Sequence, residues 1–432
     1  MDVLNQLLDR SLARARRRLL PFLLLMYVVS VLDRANIGFA KQALHDSRGI
    51  SEAAYAMGAG LFFVTYALFE IPSNLIMHRV GARIWLSRIM ATWGLISAAT
   101  MFVTGDVSFY CLRLLLGAAE AGFFPGVILY LTYWFPNKTR GQILGLFYFG
   151  APLSFIFGSP LSGLLMGMRP RFGLQGWQWM FLIEGLLAVA VGVISFWYLD
   201  DRPASARWLP EQEKRELLTA LSLEESERKA RGPSSPLRSL KDARVLFFSL
   251  TYFLIQAGVY GVIFYLPTEV ASILGKKVGL EVGLVSSIPW MCAIVVTYWL
   301  SRFADRHRNY RLLASLGLAA SGCAILVVPA SGPAIALFAL CMAASGYIAI
   351  QPLFWTFPTG YLAGAGAAAA IAMINAFGNL GGFVVPNVKV WAEMHFGSSF
   401  AGAVALAVIT FLGALLIALM RNRQAGSNVS SL

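Results

Sequence analysis

Charged residues are scarce in this sequence, and their scarcity argues against a soluble globular protein. Only 13% of the 432 residues are charged, whereas 58% are hydrophobic and the mean hydropathy is +0.66. A soluble domain carries about 25% charged residues. A chain with so little charge cannot cover a water-facing surface. Most of it must therefore face lipid, or other parts of the protein, inside a bilayer.

Cysteine and histidine are also rare, and neither is arranged as a disulfide framework or a metal site requires. The four cysteines lie inside apolar runs, with no CxxC pair: Cys111, Cys292, Cys323 and Cys341. The four histidines are scattered in or beside the connections between those runs. A Gly-rich phosphate loop is missing as well. The sequence therefore predicts no metal, no cofactor and no membrane-embedded enzyme.

A transmembrane helix needs about 20 apolar residues, and the sequence contains twelve such runs. They lie at residues 20–40, 55–77, 84–104, 107–131, 142–166, 178–199, 245–266, 282–301, 312–330, 333–357, 361–386 and 399–420. The sequence thus predicts an all-α membrane protein, with twelve transmembrane helices in two six-helix halves. The halves are residues 1–199 and 245–432, and residues 200–244 form a linker. The mixed-charge segment 211–231 of the linker predicts a short surface helix.

The basic residues predict how the chain is oriented in the membrane. Most of the 35 Lys and Arg residues lie in the N-terminal tail, the linker and the other connections on the same side. Loops rich in Lys and Arg stay on the cytoplasmic side of a membrane. We therefore expect both termini and the linker to be cytoplasmic, and the protein to lie in a bacterial-type inner membrane. Their position between the apolar runs argues against nucleic acid as a partner, despite a net charge of +13. Since no cleavage site follows the first run, we interpret that run as an uncleaved span.

The two halves of the sequence resemble each other. A short basic connector follows the second run at residues 78–83, and another follows the eighth run at residues 302–308. Residues 158–160 and 381–386 place Gly and Pro within the fifth and eleventh runs. Gly and Pro are common in membrane helices, so they are weak evidence alone. The basic connectors, however, also occupy equivalent positions in the two halves. Together they predict a parallel repeat, with a substrate path between the halves.

Several charged residues lie inside predicted spans, where each costs roughly 2.5–3.5 kcal/mol on insertion scales. They are Asp33, Arg34, Glu70, Arg113, Glu120 and Glu184. Arg113 and Glu120 stand seven residues apart, so they share one helix face. A guanidinium binds a carboxylate through two parallel hydrogen bonds, and a buried carboxyl group can take up a proton. This face predicts an anion site beside a proton site, with an interhelical ion pair as the structural alternative.

The other intramembrane charges are less specific. Asp33 and Arg34 point roughly 100° apart on a helix, so one can face the cavity while the other faces an adjacent helix. Glu70 and Glu184 are more typical of packing or helix-end residues. Polar and aromatic residues within the spans add candidate substrate contacts: Tyr66, Gln256, Tyr260, Tyr265, Trp355, Asn375 and Asn379.

Three segments carry a resemblance to a known family. They are residues 32–39 (LDRANIGF), 113–126 (RLLLGAAEAGFFPG) and 371–386, which includes NAFGNLGG. With these, and along nearly the whole chain, the sequence resembles the anion:cation symporter family of the major facilitator superfamily. Members carry organic anions such as phthalate, tartrate, hydroxyphenylacetate and sugar acids, usually driven by protons or sodium. The bacterial organic-acid branches look most similar.

The resemblance implies roles for individual residues. The expected proton-coupling groups are Asp33 and Glu120, and the expected charge partners or substrate contacts are Arg34 and Arg113. Tyr66 and Asn375 are expected to contact the substrate cavity. Gating is expected in the basic connectors, at Arg79, Arg83, Asp305 and Arg306. The first connector departs from the superfamily pattern, because His78 stands where an acidic residue is usual.

Together these features predict a secondary transporter that imports a small organic carboxylate by proton symport through alternating access. Sodium is the alternative coupling ion, the lipid bilayer is the surrounding partner, and a monomer is expected from the family. Two other functions stay open at this point. One is proton-coupled efflux of a metabolite or drug, and the other is a membrane nutrient sensor that binds without transporting.

Overall fold

Helices form nearly all of the structure, a computed structural model that describes residues 2–230, 241–307, 309–361 and 365–420. The helices of the first half are α1 Asp2–Arg48, α2 Glu52–Val80, α3 Ala82–Ala99, α4 Asp106–Glu120, α5 Phe123–Trp134, α6 Asn137–Tyr148, α7 Gly150–Met166 and α8 Gly176–Tyr198. The linker contains α9 Glu211–Ala230. The second half contains α10 Ala243–Leu274, α11 Leu280–His307, α12 Tyr310–Val327, α13 Pro333–Tyr361, α14 Ala365–Asn379, α15 Gly381–Phe396 and α16 Ser399–Leu419.

These helices confirm the predicted twelve-helix fold. Eleven segments of the described chain are long and apolar enough to cross a membrane. Three of them join two helices each: α4 with α5, α6 with α7, and α14 with α15. The twelfth span is α3, whose first two turns carry Arg83 and Arg88 and are therefore less apolar. The predicted surface helix of the linker is confirmed as α9, and it contacts α1 through an ion pair between Arg14 and Glu213.

The fourth span is broken between α4 and α5, and the break positions a charged side chain. Gly122 has a φ of 87°, in the left-handed region that favours glycine. A Cβ atom at Gly122 would also lie 2.3 Å from the hydroxyl oxygen of Ser73 on α2. Glycine is therefore required here for both backbone conformation and packing. Glu120, the last residue of α4, lies at this break and contacts α1.

The connections between the helices define two ends of the bundle. The helices alternate in direction, so the short loops at residues 49–51, 167–175 and 275–279 lie at one end, called here the loop end. The linker lies at the other, called the linker end. The main contacts between the halves are α7 with α11, α2 with α15, and α1 with α10.

Glycines permit backbone contact between the halves towards the loop end. A Cβ atom at Gly163 on α7 would stand 2.5 Å from the carbonyl oxygen of Gly279 and 2.9 Å from the Cα atom of Gly283 on α11. On the other side, a Cβ atom at Gly60 on α2 would lie 2.7 Å from the ring of Phe383 on α15. The two halves therefore pack closely at these positions.

Candidate functional site

A buried ion pair lies where the two halves meet. The Arg34 guanidinium on α1 contacts Oε1 of Glu120 at 2.6 Å through Nη2, and its Nε donates to the same oxygen at 2.8 Å. The Ser30 hydroxyl donates to this oxygen at 2.8 Å. Glu120 is fully buried, while 14% of the Arg34 side chain is exposed. The second carboxylate oxygen of Glu120 has no hydrogen-bond partner among the described residues.

Aromatic rings from both halves surround the guanidinium of Arg34. The Tyr66 ring of α2 lies 4.8 Å from the guanidinium carbon, at a distance that permits a cation–π contact. Tyr260 of α10, in the second half, also lies close enough to interact with Arg34. Its hydroxyl donates to Oδ1 of Asn379 at 2.9 Å. The site therefore combines one cation with aromatic faces and neutral hydrogen-bonding groups, as a carboxylate that also bears hydroxyl or aromatic groups would require.

Arg113 is placed differently from Arg34. Its guanidinium donates to the carbonyl oxygens of Gly58 and Ala59 on α2, both at 3.3 Å, and it is buried. The helix spacing placed Arg113 and Glu120 on one face, but the described contacts pair Glu120 with Arg34 instead. Helix spacing identifies a shared face, but it cannot show which side chain of a neighbouring helix reaches that face first.

Asp33 points away from its neighbour Arg34, into the first half. It accepts hydrogen bonds from the Ser97 hydroxyl on α3 and from Nδ2 of Asn36, the latter at 3.3 Å. Of the two adjacent charges, Arg34 thus lies at the junction of the halves, and Asp33 lies inside one bundle.

The second half contributes a chain of polar groups. The Tyr252 hydroxyl donates to Oε1 of Gln351 at 3.1 Å, and Nε2 of Gln351 donates to Oε1 of Gln256 at 2.7 Å. The ring of Trp355 lies 5.0 Å from that of Tyr252. Sequence reasoning selected Gln256 and Trp355 but missed Gln351. Its signal was an amide side chain within an apolar run, directly before Pro352.

A hydrogen bond joins the halves on the linker side of the ion pair. Nδ2 of Asn375 on α14 lies 3.5 Å from Oε1 of Glu70 on α2. Glu70 was interpreted from sequence as a packing or helix-end residue. The structure buries it at the interface of the halves, with its other oxygen unpartnered among the described residues. Pairing across halves separated by about three hundred residues leaves no local signal in the sequence.

The candidate gating residues lie at the linker end. Arg79 and Arg306 are exposed at the ends of α2 and α11, and the side chain of Asp305 lies outside the described residues. The backbone N–H of Arg83 donates to Oδ1 of Asp201 at 2.8 Å. The carboxylate at this connector thus comes from Asp201, at the beginning of the linker, which sequence reasoning did not select.

The helical architecture and a charged site between two halves are typical of a membrane transporter. A comparison with protein-family models agrees, because the Major Facilitator Superfamily model matches residues 23–386. The chain belongs to the major facilitator superfamily. The expectations that it is a transporter and that it is not an enzyme are confirmed.

Bacterial relatives share most of the chain. It is 46% identical to the inner membrane transport protein RhmT of Escherichia coli, over 96% of each chain. It is 42% identical to a putative tartrate transporter of Agrobacterium vitis, over 96% of this chain and 92% of that one. It is also 39% identical to a quinolone resistance transporter of Acinetobacter baumannii, over 92% of each. The inward open structure of the xylose transporter XylE from E. coli shares the fold, with a TM-score of 0.73 and 14% identity over 95% of this chain and 98% of that one.

Proposed function

We propose that the protein imports a small organic carboxylate together with protons, and that the Arg34–Glu120 pair couples the two. The observation that carries this proposal is the buried carboxylate of Glu120, held by the partly exposed guanidinium of Arg34 at the junction of the halves. When Glu120 is ionised, it occupies the hydrogen-bonding face of Arg34. When Glu120 takes up a proton, Arg34 becomes available to a substrate carboxylate. Proton and anion therefore bind together.

The substrate class follows from the other groups at the site. Tyr260, Asn379, Gln256 and Gln351 offer neutral hydrogen-bonding groups, which suit the hydroxyls of a sugar acid or a hydroxy-diacid. Tyr66 and Trp355 offer aromatic faces that also permit an aromatic acid. The name of the tartrate transporter relative supports the hydroxy-acid alternative. Arg113 and Asn375 complete the proposed substrate contacts when the helices rearrange.

We place both termini in the cytoplasm of a bacterium with an inner membrane, which the basic connections and the name of the E. coli relative support. The loop end is then the outer end, and in this scheme the substrate leaves towards the linker. The protein acts as a monomer in this scheme.

Entry of an anion is opposed by about 2.3 kcal/mol per charge per 100 mV of membrane potential. More than one proton per monovalent anion makes import favourable, and both Glu120 and Asp33 are available as acceptors.

Efflux is the second candidate function, favoured by the quinolone resistance transporter among the relatives. The aromatic faces around Arg34 suit a planar drug as well as an aromatic acid. Proton antiport would use the same Glu120, but the substrate would then compete with the proton instead of entering with it. The direction of the proton dependence therefore separates import from efflux.

The test is uptake of labelled sugar acids, hydroxy-diacids and aromatic acids into proteoliposomes, with and without an inward proton gradient. We expect at least one acid to accumulate, and the gradient to be required for accumulation. Arg34→Gln is expected to reduce this uptake to the level of protein-free liposomes, because it removes the cation that binds the carboxylate. Arg17→Gln, at an exposed arginine of α1, is the matched control and is expected to transport like the wild type. Proton-driven extrusion of a quinolone, without uptake of any acid, would contradict import.

A further inference from the structure

A second group of buried acidic residues lies inside the first half, away from the Arg34–Glu120 pair. Asp33 and Asn36 on α1 and Glu184 on α8 are each at most 2% exposed. The Asn36 side chain donates to Asp33 and also lies within interaction range of Glu184. The Ser162 hydroxyl of α7 donates to Oε1 of Glu184 at 2.7 Å. Side chains from several helices therefore converge on these two carboxyl groups.

Three oxygens of this cluster lack hydrogen-bond partners among the described residues. They are Oδ2 of Asp33, Oδ1 of Asn36 and Oε2 of Glu184. A buried acceptor without a donor costs roughly 1–3 kcal/mol, and most buried polar atoms in native proteins have a partner. All three atoms are acceptors unless a carboxyl group carries a proton. What the cluster lacks is therefore a donor, and a proton on one of the carboxyl groups would supply one.

The charges of the first half lead to the same conclusion. Arg34 neutralises Glu120, and within the described residues no Lys or Arg lies in ion-pair contact with Asp33 or Glu184. Arg113 acts on Asp33 through space, while its guanidinium donates to backbone carbonyls of α2. Asp33 thus faces one cation that does not contact it, and no cation of the described residues contacts Glu184. An uncompensated buried charge is costly, so the cluster requires one more positive charge.

We propose that Asp33, Asn36 and Glu184 bind one proton inside the first half, and that Glu184 is a further proton-coupling residue. The groups that face the two carboxyls are Ser97 of α3, Ser162 of α7, Asn36 of α1, and, through space, Arg113 and Glu120 of α4. Asn36 links the carboxyls, so a proton on one of them also affects the other. The assignment to coupling rests on the proposed symport, whereas proton binding itself can be measured without substrate.

The first test is thermal unfolding of the detergent-solubilised, substrate-free protein between pH 5.5 and 8.5. A proton held in the folded state contributes stability that is present at low pH and is lost as the pH rises. We expect the melting temperature of the wild type to fall over this range by on the order of 4 °C more than that of Glu184→Gln. Glu184→Asp keeps a carboxyl group and is expected to restore the fall. Glu281→Gln, an exposed carboxylate in ion-pair contact with Lys276, is the control and should follow the wild type.

Superimposable pH profiles of wild type and Glu184→Gln would overturn the proposal. A stabilisation specific to sodium would also overturn it. In that case sodium chloride, but not choline chloride, would raise the melting temperature of the wild type and not that of Glu184→Gln, because the missing charge would be a sodium ion. If Glu184→Gln does not fold, Ser162→Ala replaces it. Loss of the Ser162 donor disfavours the ionised form of Glu184, so the fall in melting temperature is expected to move to higher pH. A melting temperature that depends on pH as in the wild type would count against the proposal. The two proposals can fail separately. If no acid is taken up but the pH dependence of the melting temperature requires Glu184, the proposed function is contradicted and the proton site is not.

Discussion

Glu120→Gln is expected to abolish proton-driven accumulation of the substrate while leaving substrate exchange intact. Glutamine has nearly the same shape, and its Oε1 can still accept from Arg34 and Ser30. It cannot take up or release a proton, so the coupled cycle stops. Arg34 loses its competing carboxylate and stays available to the substrate, so binding and exchange of labelled for unlabelled substrate need no proton release. Accumulation in an imposed gradient should fall to the level of protein-free liposomes.

The two assays use the same proteoliposomes, which controls for the amount of folded protein. Glu281→Gln makes the same chemical change at an exposed carboxylate of the loop end and is expected to accumulate substrate as the wild type does. Gradient-driven accumulation by Glu120→Gln would exclude Glu120 as the coupling group. Loss of exchange together with accumulation would assign the residue to folding or substrate binding instead.

Gly163→Leu is expected to hold the carrier open at the loop end and to reduce transport strongly. A Cβ atom at this position would lie within 3 Å of backbone atoms of Gly279, just before α11, and of Gly283 on α11. Backbone atoms cannot rotate away as the end of a side chain can. Overpacking costs typically 1–3 kcal/mol, which shifts a conformational equilibrium by about 5- to 150-fold. We expect the clash to be relieved when the halves separate at the loop end, so the cost falls on the conformation in which they pack together.

Labelling of a cysteine at Ser159, whose backbone packs against Gly283, measures this shift. In a background without the four native cysteines, an impermeant maleimide added from the loop side should label Ser159→Cys faster when Gly163 is Leu. Gly105→Leu is the control, since nothing lies within 4 Å of a Cβ atom built there. Equal labelling rates, with normal transport by Gly163→Leu, would show that this contact does not close the path.

The spans could be predicted from sequence because the bilayer imposes a length and a composition on every crossing segment. Even α3 was found, although Arg83 and Arg88 make its first turns polar. Breaks inside spans were not predicted, because apolar composition continues through them. The break at Gly122 depends on close packing against Ser73, which no local pattern reveals.

The candidate site was predictable as a set of residue types but not as a set of contacts. Intramembrane charge identified Arg34, Glu120 and Asp33, since such residues are costly unless they function or pair. Their partners come from other helices, so the Arg34–Glu120 pair and the Glu70–Asn375 contact required the fold. Glu184 was interpreted as a packing or helix-end residue, because the sequence of α8 does not indicate its contacts with α7 and α1. The substrate roles of the individual residues stay predictions.

The most direct test of the central claim is the internal pH of proteoliposomes after an identified substrate acid is added outside, with no imposed proton gradient. A pH-sensitive dye in the lumen reports whether protons enter with the anion. The account predicts acidification of the lumen that requires the substrate and is lost in Glu120→Gln. Entry of labelled acid at constant internal pH, in the wild type, would contradict proton symport.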